Sequence, residues 1–483
     1  MEKDKIPVLT LSEYEEKRIR EALDTITPES GPYPEDAEAM FALAQDYEKG
    51  DSKVSQSDIL AFYWYGKATL LGLPGAMAEL GRCFSLGRGV PENAPAAVAL
   101  LSKSAQWGSP RTQNNLGWHY RYGEGVPEDM EQALEWFRKS AEGDYPNAFL
   151  NLGLCYYEGK GVLQDKKEAV RWFTKAAAHE HSRAQYYLGS CYERGEGVES
   201  NLLEALFYYR KAAEQEYAAA QSKLGEFYQF GNGLAADYGL AVFWYQKAAY
   251  QEEPLAQLRL AMCYEKGIGC QKNTEEAFRW YLKSAENDNV LACSKAGACF
   301  ELGEGTEIDM VQAVKWYKKS AERGYAQAQL NLALCYKYGK GTGIDPTQAA
   351  HWYLLAAEQG DASAQVGLGL CYEWGEGVEQ SFEKAFYWYG KAAVQKDEHG
   401  LFDLAQCYEN GKGTEKNPQK AAGLYEAAAA LGHTGAMNNL GRLYYHGILP
   451  KDVRKAKALW EQAAAMGEQM ALENLEVYRR EQE

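Results

Sequence analysis

Residues 146–181 read PNAFLNLGLCYYEGKGVLQDKKEAVRWFTKAAAHEH, and this stretch decides the fold. Ala148, Leu152, Cys155 and Tyr156 stand at i, i+4, i+7 and i+8, one apolar face of a helix. Gly159 follows where a helix C-terminus takes a left-handed residue, and Gly161 lets the chain turn back. Asp165 then caps a second helix, with Glu168 three residues on as a capping box. Ala169, Trp172, Phe173, Ala176 and Ala177 carry a second buried stripe. The stretch predicts one helical hairpin.

Stepping outward by 36 residues, the same hairpin returns without gaps over most of the chain. Gly-x-Gly recurs from 87/89 through 159/161 and 267/269 to 411/413, and aromatic pairs recur from Trp136-Phe137 to Trp388-Tyr389. Asp129/Gln132, Asn201/Glu204, Asn273/Glu276, Asp309/Gln312 and Asp345/Gln348 repeat the capping box, and Pro346 and Pro418 fall at the first helical position. A further column holds only Gly or Ala: Ala44, Gly81, Gly117, Gly153, Gly189, Gly225, Ala261, Gly297, Ala333, Gly369, Ala405 and Gly441. A mid-helix glycine costs roughly 1 kcal/mol relative to alanine, so these need a reason. Close approach of the two helices of a hairpin supplies it, and the tolerated alanine makes the constraint one of volume.

The pattern frays at both ends, as a stack whose outer faces meet water requires. The first repeat has Gly50 but no second glycine, and the last keeps Gly447 but has Leu449 at the second position. Ser12 and Glu15 open a helix running to about Ile26, and Ala471, Leu475 and Tyr478 mark a final one. The expected organisation is an N-terminal helix and linker (1–36), about 12 repeats (37–468) and a capping helix (469–483). The expected fold is all-α, a right-handed α-solenoid of helix-turn-helix repeats.

A net charge of −17 argues against nucleic acid and anionic membrane surfaces, both of which call for clustered Lys and Arg. No run approaches the roughly 18 apolar residues of a spanning helix, and Ile6–Leu11 is too short for a signal-peptide core. A cytoplasmic monomer is expected, unless it leaves by a route that needs no such signal.

Leu188-Gly-Ser-Cys-Tyr-Glu-Arg-Gly-Glu-Gly-Val198 and Ala313-Val-Lys-Trp-Tyr-Lys-Lys-Ser-Ala-Glu322 resemble the Sel-1-like repeat, a relative of the tetratricopeptide repeat. The resemblance spans roughly residues 37–470. It implies an adaptor or assembly platform that binds protein or peptide, working in signalling, protein quality control or host–microbe contact. No cofactor or metal is expected. An effector acting on host proteins is one variant of this reading.

Eight cysteines share one column: 83, 155, 191, 263, 299, 335, 371 and 407. Packed helices lie about 8–10 Å apart and each repeat contributes two, so equivalent cysteines stand beyond the roughly 7 Å Cα limit of a disulfide. Exported relatives that this chain resembles pair two cysteines within a repeat, but the second column is absent here. Buried, reduced packing cysteines are expected, with Cys270 and Cys293 outside the column.

The resemblance also admits a rival reading, a hydrolase of cell-wall or β-lactam substrates, whose serine chemistry would use Ser-x-x-Lys. Ser381 and Lys384 match that spacing, but Ser381 occupies the helix-capping column. His179-Glu-His181 lies at a turn between repeats and reads as surface, and Gly339-Lys-Gly-Thr342 lacks the spacing of a phosphate loop. No catalytic constellation emerges.

If Ala148, Leu152 and Tyr156 face the core, the opposite stripe of that helix holds Leu150, Leu154 and Tyr157. Matching positions line the ligand groove of tetratricopeptide proteins. Along the chain the stripe runs Arg82, then Asn114, Trp118 and Arg121, then Leu150, Leu154 and Tyr157, then Tyr186. Arginine donors, an amide and aromatics suit a peptide carboxylate with an apolar neighbour. Further on, Leu258/Met262, Leu330/Leu334 and Val366/Leu370 alternate with Glu226, Glu265, Glu301, Glu373 and Glu409, which would favour an apolar segment carrying Lys or Arg. The stripe has a second reading, in which its apolar pairs pack between repeats and its glutamates are solvated.

Overall fold

The computed structural model describes residues 11–26, 28, 34–50 and 54–481. Among them are 26 α-helices and no strand. In chain order these are α1 Glu13–Leu23, α2 Ala37–Lys49, α3 Asp58–Leu70, α4 Pro74–Leu86, α5 Ala94–Ala105, α6 Pro110–Tyr122, α7 Met130–Glu142, α8 Pro146–Glu158 and α9 Lys166–Ala178. They continue as α10 Ser182–Arg194, α11 Leu202–Glu214, α12 Ala218–Phe230, α13 Tyr238–Tyr250, α14 Pro254–Lys266, α15 Thr274–Glu286, α16 Val290–Leu302, α17 Met310–Ala321 and α18 Ala326–Tyr338. The last are α19 Pro346–Glu358, α20 Ala362–Trp374, α21 Phe382–Val394, α22 Glu398–Asn410, α23 Pro418–Ala430, α24 Thr434–Tyr445, α25 Val453–Ala465 and α26 Gln469–Arg480. The fold is all-α, of the solenoid class: within each compact unit, one ending at Ala236 and one beginning at Asp237, each hairpin packs on the next.

Local chemistry sets the hairpins. Gly159 sits at φ 72° and its N–H donates to the Cys155 carbonyl at 2.9 Å, closing α8. The second glycine of each turn does more than reverse the chain. A Cβ on Gly341 would overlap the Met310 carbonyl at the head of the preceding repeat's second helix, so the position is also an inter-repeat contact. Asp165 accepts from the N–H groups of Lys167 and Glu168 at 2.9 and 3.0 Å. The reciprocal half of the box forms at Ser12/Glu15, whereas Glu168 and Glu276 turn to Arg171 (2.9 Å) and Arg279 (2.7 Å). Ser381 caps α21, its Oγ accepting from the Lys384 N–H at 3.3 Å.

The small-residue column works as its volume implied. A Cβ on Gly153 would stand 2.5 Å from the Phe173 ring, and one on Gly369 2.5 Å from Tyr389. The ring that crowds it comes from the second helix of the same hairpin, where Tyr65, Phe137, Phe173, Tyr209, Tyr281, Tyr317, Tyr389 and Tyr425 are all buried.

The eight column cysteines are buried, and burial pushes the Cys83, Cys191 and Cys407 thiols up to about 12. Cys293 is buried as well, in a column that holds glutamine at 113, 185, 221, 257, 329 and 365 and apolar residues at Met77, Phe149, Leu401 and Met437. Gln257, Gln329 and Gln365 donate to the Ala249, Ala321 and Ala357 carbonyls at 3.1–3.2 Å, and Cys293 Sγ donates to Ala285 at 3.6 Å. These donors give a further hydrogen bond to carbonyls at the C-terminus of the preceding repeat's second helix, each of which also accepts from the backbone N–H three residues on.

Candidate functional site

A first helix has its own second helix on one side and neighbouring repeats on the others, so it buries more than one stripe. This moves the exposed face. In α6 the accessible side chains are Arg111, Asn115, Trp118 and Tyr122, at i, i+4, i+7 and i+11, while Asn114 and Arg121 are buried. The stripe expected from sequence was turned about one residue, roughly 100°, toward the stack.

The residues of that stripe therefore divide. Leu150 and Leu154 are core, each 4% exposed, and Leu258 and Leu330 are buried likewise. Arg121 is buried and committed, donating to Glu158 at 3.0 Å and lying 3.7 Å from the Cys155 sulfur. Tyr157 donates to Glu196 under the ammonium of Lys166, which sits 3.1 Å from its ring centroid. Tyr186 is half-buried among Tyr187, Tyr209 and Tyr217. Arg82, Asn114 and Trp118 come together.

They line a cleft of about 380 Å³ between α4, α6 and the start of α8, with Ser85, Asn115 and His119. Trp118 stands at its edge, 38% exposed, with its ring 4.9 Å from that of Tyr122. His119 is buried beneath it. The Glu124 carbonyl can only accept, so Nδ1–H donates to it at 2.9 Å and Nε2 accepts from the Ser85 hydroxyl at 3.1 Å. Burial lowers the His119 pKa and keeps the imidazole neutral, against the pull of the Glu124 contact.

The cleft's amides are held in place. Asn151 donates to the Asn114 side-chain oxygen at 2.8 Å. His181 Nδ1 accepts from the Ala184 N–H at 3.4 Å, so its Nε2–H donates to Asn147 Oδ1 at 2.7 Å, and the Asn147 amide donates to Tyr145 at 3.1 Å. His181 is thus a half-buried helix cap, where sequence placed it at the surface.

Arg82 is not available to a carboxylate. It donates to Glu48 and, at 2.6 Å, to Glu79, and Glu79 also accepts from Arg111 at 3.1 Å. Burial would raise the Glu48 carboxyl, but hydrogen bonds from Arg82 and Tyr65 bring it below its ordinary value. Arg111, with half its side chain exposed, is the accessible cation of the cleft. Sequence reading missed Arg111, Ser85, Asn115, His119 and Asn147; the signal was there, in the 111/115/118/122 spacing.

The glutamates further along are neither a groove lining nor simply solvated. Glu265, Glu301, Glu373 and Glu409 accept from the Tyr281, Tyr317, Tyr389 and Tyr425 hydroxyls of their own hairpins at 2.7–2.8 Å. Lys295, Lys412 and Arg442 of the following repeats pair with Glu265 (3.2 Å), Glu373 (2.7 Å) and Glu409. Glu226 pairs with Lys223 at 3.3 Å. Glu265, Glu373 and Glu409 thus tie neighbouring hairpins together, Glu301 is held by Tyr317 of its own hairpin and Glu226 by Lys223 of its own helix, so the expected preference for a Lys- or Arg-bearing segment has no free acid to rest on.

Helical hairpins stacked repeat upon repeat, with an aromatic-edged cleft between first helices, define a solenoid-class repeat protein. Sel1 repeat matches cover residues 37–73, 74–108, 110–145, 147–181, 182–217, 218–252, 254–289, 290–325, 326–361, 362–397, 399–433 and 434–468, and the chain belongs to the Sel1 repeat family. It is similar to a protective antigen present in uropathogenic Escherichia coli strains displaying an SLR fold, at 33% identity over 87% of this chain and 90% of that one, with a TM-score of 0.71. It is also similar to a Sel1 repeat protein from Oxalobacter formigenes, at 28% identity over 69% of this chain and 98% of that one, with a TM-score of 0.50. No curated protein matches. Among the described residues no helix is long and apolar enough to cross a membrane, and no cluster of three or more His, Cys, Asp or Glu side chains is arranged to hold a metal ion.

Proposed function

We propose that this chain is a protein-interaction scaffold that captures a peptide segment of a partner in the cleft between α4, α6 and α8. The observation that carries this reading is the pairing of an exposed Trp118 with pre-positioned amides in a cavity of about 380 Å³. An aromatic at an edge and fixed amide groups below it suit a peptide. The ring takes an apolar side chain, and the amides exchange hydrogen bonds with backbone N–H and C=O. Orientation of Asn114 and Asn147 by Asn151 and His181 lowers the ordering cost of binding. Arg111 adds a cation at one side, so a segment with an apolar residue beside an acidic one is favoured.

The test is selection of binders from a random peptide library displayed to the purified chain, followed by titration of the selected peptide by fluorescence anisotropy. Trp118→Ala should weaken binding about 30-fold, as loss of a central aromatic anchor does. Binders that ignore both Trp118→Ala and Asn115→Ala would place the interaction elsewhere.

A further inference from the structure

One octapeptide occurs twice. Ala61-Phe62-Tyr63-Trp64-Tyr65-Gly66-Lys67-Ala68 in α3 is identical to Ala385-Phe386-Tyr387-Trp388-Tyr389-Gly390-Lys391-Ala392 in α21. Both stand in the second helix of a hairpin, behind a serine cap, Ser57 or Ser381. Sequence and local structure match, so any difference between them comes from what lies on top.

On α3 it is α1. Ile19 and Leu23, four residues apart, are 2% and 3% exposed, and a Cβ on Gly66 would come within 2.7 Å of Leu23. Phe62 and Gly66 are buried beneath. The first turn of α1 is acidic, with Glu13, Glu15 and Glu16, and Glu15 pairs with Lys103 of α5. The glycine is explained here: it lets Leu23 settle onto the α3 backbone.

On α21 the same face is open. A Cβ on Gly390 would meet nothing within 4 Å among the described residues, so the mid-helix glycine costs helix stability with no compensating contact from them. Phe386 is only partly buried, Tyr387 is 53% exposed and Val394 86%. A groove of about 520 Å³ lies along Phe386, Tyr387, Gly390, Lys391 and Val394. Lys391 is exposed, and so is Lys420 of α23, which occupies the repeat position where Ala96 lines the seat of α1.

We propose that the α21 face is a docking site for an acidic amphipathic helix of the α1 kind, supplied by a partner protein. Its apolar residues, four apart, would seat over Gly390 as Leu23 does over Gly66, and its carboxylates would face Lys391 and Lys420. The chain's own α1 is already held in its intramolecular seat, where effective concentration favours it. This surface is separate from the cleft on α4 and α6 and uses the other helix of the hairpin. It is a helix-in-groove mode read through apolar anchors at i and i+4.

The probe is a fluorescent peptide of residues 12–26, the α1 sequence, titrated into the full chain by anisotropy. The peptide must fold as it binds, so its affinity will be modest. Saturable binding is expected, weakened at least about tenfold by Gly390→Leu in the chain or by Leu23→Asp in the peptide, and unchanged by Trp118→Ala. Gly390→Leu raises helix propensity on an open face, so the variant should stay folded, as circular dichroism would check. No binding would overturn the proposal. Binding indifferent to Gly390→Leu would do the same, because it would show exchange into the α3 seat or attachment elsewhere. Loss on Trp118→Ala would move the peptide to the cleft and also overturn it. Self-association of the full chain that Gly390→Leu abolishes would identify a second copy as the occupant and overturn the assignment to a partner.

Discussion

The repeats from Pro74 to His181 and those from Ala362 to His433 share a backbone plan and differ in whether the residue behind the first helix carries a tyrosine hydroxyl. In the later stretch the ring behind the first helix is Tyr389 or Tyr425, and the glutamate 16 residues earlier accepts its hydrogen bond. In the earlier stretch the ring position holds Leu101, Phe137 or Phe173, none with a hydroxyl, and the glutamate position holds Ser85, Arg121 or Tyr157. Each of these is spent on a contact of its own: Ser85 with His119, Arg121 with Glu158, Tyr157 with Glu196. A repeat released from the Tyr–Glu tie can use that position for neighbour-specific chemistry, and the cleft opens among such repeats.

Removing what both stretches share should have the largest effect. Gly153→Val would drive a branched side chain into the Phe173 ring, which a Cβ alone would approach to 2.5 Å. A loss of about 3 kcal/mol is expected, the upper part of the overpacking range, read by urea unfolding. Full stability would mean that the two helices can part. Next is the tie itself. Tyr317→Phe leaves Glu301 without its 2.7 Å donor and should cost about 1–3 kcal/mol, whereas Phe173→Leu in the earlier stretch breaks no hydrogen bond. The tie can also be transplanted. Phe137→Tyr alone places a hydroxyl against Arg121, and adding Arg121→Glu should recover about 1 kcal/mol in a double-mutant cycle. Zero coupling would show that the ring and the acid do not communicate.

A further effect is read as a pH dependence. Lys223 and Lys295 reach back to Glu193 and Glu265, but the equivalent position of the repeat after Glu373 holds Asp403, an acid facing an acid. Burial, with Glu373 and Asp397 nearby, pushes the Asp403 carboxyl up to about 7 from 3.8. Between those values the folded chain binds more protons than the unfolded one, so stability falls as pH rises through the window. Asp403→Asn should flatten that slope and leave the variant more stable than the parent at about pH 8. An unchanged slope would mean that the carboxyl is solvated.

Much of this was legible in the residues. Caps, the first turn glycine and the tight Gly/Ala column follow from local rules that act within one hairpin, and their recurrence gives the repeat period. The face of the first helix was misjudged because that helix has neighbours on several sides, and one stripe such as Ala148, Leu152 and Tyr156 records only one of them. Leu150 and Leu154 look free in a single hairpin and are buried once hairpins stack. The Tyr–Glu tie escaped for a related reason: tyrosine and glutamate both read as ordinary members of their own helices, and only their 16-residue separation links them.

If the released repeats from Pro74 to His181 carry the binding surface, two exposed tryptophans allow a direct trial: Trp118 at the cleft and Trp374 at the end of α20. A peptide selected on the parent chain would be titrated by calorimetry against Trp118→Ala and Trp374→Ala, each checked for folding. Binding should be about 30-fold weaker for the first and unchanged for the second. Loss with Trp374→Ala and retention with Trp118→Ala would contradict a binding surface in the released repeats.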